Sequence, residues 1–352
     1  MKYLTASLIV ALLVTVAPLW AAEEPGPGEA AKTEGKAENA AVHYRQAFEL
    51  LPKLSQEQEK LLREASSAPI DKATEKVLRK AEPALKMLRQ GAQMAHCDWG
   101  LPKGAEDLKA LTPAPSDAME LTKAFVLPLN DARSLVRLAC LQARYSAQQG
   151  REQEAVDNLA AALTLGRQLG STGAIVSFIV QVAIESLVVD TAARVLPNLG
   201  PEALTQLGKR IDAAPAGATL KTALQKDNER DSILRDFTGD PRYGQMLEFN
   251  KKLIEIADLP PDEFAKEFKK IDNPQAASME RAHQIQSAAR AKMAMLAAAI
   301  KIRLEGKKAV ESTKDPYGDG PFKYTEVPGG FELESELRMD DKPVTLRIGN
   351  QP

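Results

Sequence analysis

ACLQARYSAQQGREQEAVDNLAAALTLGRQL, residues 139–169, decides the fold of this chain. A helical pattern running from Leu135 stops at Gly150, and a second stripe follows almost at once: Ala155, Val156, Leu159, Ala162, Leu163 and Gly166. Glycine suits the left-handed position that ends a helix, and the 3.6-residue spacing on either side of it predicts two helices joined by a tight turn.

Immediately downstream lies the most apolar internal segment, GAIVSFIVQVAIESLVVDTAARVL, residues 173–196. Ser177, Gln181, Glu185, Ser186 and Asp190 make it too polar for a membrane span. Its apolar residues surround the helix on all sides, which marks a central helix around which others pack.

Helical spacing extends in both directions. Upstream, Tyr44, Ala47, Phe48 and Leu51 form one stripe, Ser55 with Gln58 forms a capping box, and Asp71 caps a helix whose face is Val77, Leu78, Ala81, Leu85 and Leu88, with Pro83 inside it. Residues 97–115 are a looser stretch, and helices resume from Ser116 to a break near Pro128. Downstream, Pro201 fits a first helical position, and Thr219, Asp240 and Asp262 lie near further helix starts. Asn273-Pro274 opens a long helix carrying Ala289, Met293, Leu296, Ile300 and Leu304 on one face. After Gly306 the period changes to two. Three short antiparallel strands are expected at Phe322–Val327, Phe331–Arg338 and Pro343–Ile348, with the long helix covering their apolar face.

Composition agrees with this pattern. The 352 residues are 44% hydrophobic but only 5% aromatic, which favours close-packed helices over sheets. A formal net charge of -2 gives no electrostatic reason to expect nucleic acid as a partner. The fold expected is mainly α: an array of antiparallel helical hairpins with a small antiparallel β-meander packed on a long helix. Residues 39–272 form the helical domain and 273–352 the long helix plus meander.

At the N-terminus, Lys2 precedes an apolar run from Leu4 to Trp20, then Ala21, Ala22 and an acidic Pro/Gly-rich stretch. This describes a secretory signal over residues 1–22. The run also approaches the ~20 residues of a spanning helix, so an uncleaved anchor at residues 4–20 stays open. Both readings place the body outside the cytoplasm, periplasmic or secreted, with any membrane contact made through this segment alone. Residues 23–38 contain no large apolar side chain and are expected to be a disordered tether.

Two resemblances follow from these residues. The 139–169 stretch resembles a tetratricopeptide-type hairpin. Ala143 stands at the small position of the first helix, Gly150 at the turn, and Ala155 and Ala162 where the second helix would touch the first; it departs from the pattern at Ala139 and Arg167. The resemblance implies hairpin packing and peptide or protein binding. The long Ala-rich helix, DPYGDGPFKY (residues 315–324) and the meander resemble the C-terminal part of type II secretion major pseudopilins, and the tails of secreted bacterial helical proteins. The N-terminal run lacks the Gly-Phe processing site of that family, so what transfers is a helix-plus-sheet shape. Pseudopilins of the resembled type can hold calcium, for which Asp319, Asp340 and Asp341 are the oxygen donors at hand, but their spacing matches no regular calcium loop and turn formation is the reading it favours.

Chemistry is sparse. The chain has three histidines, and His96-Cys97-Asp98-Trp99 is its most suggestive cluster. Adjacent residues rarely orient a base onto a cysteine sulfur, so a structural role for Cys97 is expected. Cys97 and Cys140 are the only cysteines, and export would favour a disulfide between them. Gln181 and Glu185 lie one turn apart in the central helix, where a buried carboxylate either takes up a proton or pairs with a cation. No cofactor is expected. The leading expectation is an exported, noncatalytic helical scaffold that binds another protein in the bacterial envelope. The alternative is an envelope enzyme or small-ligand-binding protein with a pocket around Glu185.

Overall fold

Asn39 sets the first helix. Its side-chain oxygen accepts the Ala41 N–H at 3.1 Å and caps α1 (Ala40–Glu49), whose Tyr44 and Ala47 are wholly buried. The expected capping box is present: Ser55 and Gln58 exchange bonds of 3.1 and 3.3 Å at the start of α2 (Gln56–Glu64). Asp71 accepts the Thr74 N–H at 2.7 Å and caps α3 (Lys72–Gly91), which runs through Pro83 with its Val77-to-Leu88 face buried. These elements belong to a computed structural model that describes residues 39–64, 70–102, 106–107, 127–271 and 276–349. The expected signal or anchor, the tether, the helix start at Ser116 and the Asn273-Pro274 cap lie outside the described residues.

The decisive stretch forms α4 (Leu129–Gln148) and α5 (Glu152–Gly170), which pack on each other, with Gly150 at φ 71° between them. Ala139, Ala143, Ala155 and Ala162 are all wholly buried. The apolar segment becomes α6 (Ile175–Val195) and sits at the centre, touching α4, α5, α8, α11 and the last strand. Its close approach to α5 requires glycine. A Cβ on Gly166 would stand 2.6 Å from Ile184 Cγ2. By length and composition the stretch Ile175–Asn198 could cross a membrane, but in this fold it is the packed central helix.

Four further helices follow: α7 (Pro201–Ala213), α8 (Leu220–Thr238), α9 (Pro241–Ile256) and α10 (Pro261–Phe268). Pro201 is at the first position as expected, a Thr219/Thr222 capping box opens α8, and Asp240 caps α9. Lys266, Lys269 and Lys270 are exposed on and just after α10. The long helix is α11 (Ala276–Glu305), with Leu296 and Ile300 buried and Leu304 40% exposed at its end.

The three strands appear within one or two residues of their expected bounds: β1 (Lys323–Val327), β2 (Gly330–Met339) and β3 (Lys342–Gly349), antiparallel in the order β1-β2-β3. Phe331, Leu333, Ser335 and Leu337 share the buried face of β2 with Val344, Leu346 and Ile348 of β3. The face packs on α11 as expected, and also on α6 through β3. One apolar cluster of the described residues therefore includes members from Ala40 to Ile348. A second cluster joins Phe178 and Val182 of α6 to Leu220, Leu253, Phe264 and Ala282.

Candidate functional site

The loop that leaves α3 does not wander. Ala40 N–H donates to the His96 carbonyl at 2.9 Å, while the Asn39 amide spans Asp98 in both directions, accepting its N–H at 2.9 Å and donating to its carbonyl at 2.7 Å. Trp99 then turns inward. Its indole N–H donates to the Gln168 carbonyl at 3.2 Å, and its ring stacks against Tyr44 and Phe48. The pinned loop forms one wall of a cavity of about 520 Å³; the others are residues 171–174, between α5 and α6, and the Lys226–Ile233 face of α8.

Asp98, Asp227 and Glu229 bring carboxylates to that cavity, and Asp227 has a buried neighbour on α8, Asp231. Asp227 and Asp231 are only 5% and 4% exposed, yet they continue the apolar stripe of α8 through Leu220, Ala223, Leu224 and Leu234. Arg230 pairs with both, at 2.8 and 3.1 Å. Asp227 Oδ2 also accepts the Ile175 N–H at 3.2 Å, serving the first turn of α6 from another helix. Burial pushes the Asp227 carboxyl up to about 6, against the opposing pull of Arg230 and the Ile175 N–H, and Asp231 adds to the rise.

This sets the sign of a pH effect. The folded-state value lies above the unfolded one, so the group's contribution to stability is fullest below about pH 4 and is lost as pH rises through about 6. Asp227→Asn keeps the acceptor for Ile175 without the buried charge. Denaturant melts are expected to show it more stable than the parent by about 2 kcal/mol at pH 8, an advantage that disappears toward pH 4.

Cys97 faces the same cavity, but its thiol is pushed up to about 12 by burial and by Asp98. A protonated thiol is a poor nucleophile, in keeping with the structural role expected for this residue. The expected disulfide is not formed. Cys97 and Cys140 are both free thiols, and they face different elements: Cys97 meets the Ala41 N–H of α1, whereas Cys140 is fully enclosed in α4 beside Thr191 of α6.

Gln181 and Glu185 are brought together as the sequence placed them, and the structure supplies their partners. Arg167 Nε donates to Glu185 Oε1 at 2.9 Å, and its Nη1 donates to the Pro215 carbonyl at 3.1 Å. Gln181, 2% exposed, accepts the Ala218 N–H at 2.9 Å and donates to the Ala218 carbonyl at 3.2 Å. Together they clamp the connection between α7 and α8 onto α5 and α6. Space at the clamp is reserved for them, since a Cβ on Gly170 would lie 1.7 Å from Gln181 Oε1. Asp190, further along α6, reaches Lys292 on α11 at 2.9 Å.

Among the described residues no three His, Cys, Asp or Glu side chains are grouped to hold a metal. Asp340 and Asp341 have positive φ and make the β2–β3 turn, as turn-forming aspartates do. The aspartate that organises DPYGDGPFKY is Asp315, 1% exposed, which the sequence reading passed over. It accepts Ser335 Oγ–H at 2.8 Å, the Glu336 N–H at 2.6 Å and the Tyr317 N–H at 3.0 Å, and so closes the turn onto β2.

No protein-family model, curated protein or solved structure matched this chain. The tetratricopeptide and pseudopilin resemblances therefore rest on the residues quoted for them.

Proposed function

We propose that this chain is an exported, noncatalytic helical protein of the bacterial cell envelope, and that it holds a segment of another protein in the cavity between the 96–102 loop and α8. The observation carrying this reading is the cavity itself. Trp99, Leu101, Pro102 and Ile233 give it apolar walls, charged groups line it, and its one thiol is held protonated. The α4–α5 hairpin adds support through its tetratricopeptide-like pattern, and the apolar run at Leu4–Trp20 supports export. Glu185, the alternative centre of activity, is committed to Arg167 inside a structural clamp.

Site-specific photocrosslinking in the producing cells tests this. A photoreactive residue at Ile233 or Leu101 is expected to give the same discrete protein adduct, and one at Val42, exposed on α1, is expected to give none. Adducts that are equal from all three positions, or absent from the cavity positions, would defeat the reading.

A further inference from the structure

We propose that the cavity takes a single basic side chain, a lysine or arginine presented by the partner protein, with Asp227 as its counter-ion. This rests on the docking reading above and specifies its chemistry.

Charge balance is the first argument. Lys226 and Glu229 pair with each other at 2.6 Å, which cancels them. Of the other charged groups lining the recess, Arg230 stands against Asp98 and Asp227, and its guanidinium is also shared with the buried Asp231. A surplus negative charge is left in a partly desolvated recess, where an added cation gains most. The second argument is an orphaned lone pair. Asp227 lines the cavity, and its buried Oδ1 lies 2.8 Å from Arg230 Nη1 yet receives no aligned hydrogen bond. An ammonium or guanidinium entering the cavity supplies the missing donor in charge-assisted form. The third is shape. Leu101, Pro102 and Ile233 line the same recess and suit the aliphatic stem of a long basic side chain, whose charged end then reaches α8.

The groups facing Asp227 set the pH response. Lys226, Glu229, Arg230 and Asp231 face it from α8, the Ile175 N–H from α6, and His96, Cys97 and Asp98 from across the cavity. As pH falls through about 6, Asp227 takes up a proton, which removes the counter-charge and disfavours a cation.

Calorimetry with acetyl-leucyl-arginine amide and its uncharged citrulline counterpart tests the assignment on the full chain. At pH 8 the arginine probe is expected to bind at least about tenfold more tightly than the citrulline probe. That preference should fade between pH 7 and 5 and be lost in Asp227→Asn, which retains the acceptor for Ile175. Equal binding of the two probes, binding by neither, or an arginine preference that survives Asp227→Asn overturns the assignment. If any of these accompanies an intact Ile233 crosslink, the docking reading stands without its basic anchor; loss of the crosslink as well removes both.

Discussion

Asp315→Ala is expected to lower the stability of the protein by on the order of 3–5 kcal/mol, because three hydrogen bonds to a buried charged acceptor are lost together. The Glu336 N–H and the Ser335 hydroxyl lose their acceptor on β2, and the Tyr317 N–H loses the bond that holds the turn. The sheet packs on both α6 and α11, so loosening that turn should reach the core rather than fray one end. Urea unfolding followed by circular dichroism measures the effect. An unchanged midpoint would show that the 315–324 turn does not hold the sheet in place.

The second large effect is expected at Glu185. Glu185→Gln preserves shape but leaves the Arg167 guanidinium, whose side chain is 15% exposed, without its counter-charge. Breaking such a pair from one side costs on the order of 3–5 kcal/mol, so the melting temperature should drop clearly. A variant as stable as the parent, or more so, would show that the carboxylate is kept for a purpose other than the clamp, and would revive the enzyme or small-ligand reading. Arg167 also donates to the Pro215 carbonyl, so the same variant should loosen the connection ahead of α8 and increase amide exchange at Ala218.

Much of the architecture was legible because local signals dominate it. Ser55 with Gln58, Asp71, Thr219 and Asp240 are caps whose partners lie within three residues, so the sequence alone places them. Period-two alternation fixed the strands for the same reason. What stayed hidden depends on partners distant in sequence. Asp190 chooses Lys292 on α11, and Arg167 chooses both Glu185 and Pro215, which no helical spacing announces. The cysteine pairing was expected from compartment alone, and nothing in the sequence showed that the two thiols would face different helices. The buried carboxylates of α8 did leave a trace. Asp227 and Asp231 interrupt the stripe of Leu220, Ala223, Leu224 and Leu234, and an acid on an apolar face is the signal that would have found them.

The central position of α6 has a consequence for how the chain is made. This helix emerges from the ribosome well before α11 and β3, the elements that cover much of it. At about 5–20 residues per second the wait is on the order of ten seconds, during which a segment apolar all round is exposed to any membrane or chaperone at hand. Its mean hydropathy over the most apolar window is 1.8, enough to tempt an insertion machinery. Gln181, Glu185 and Asp190 then act before there is a fold to hold. Each raises the cost of burying the nascent segment in lipid, and each later finds its partner in the loop before α8, on α5 or on α11.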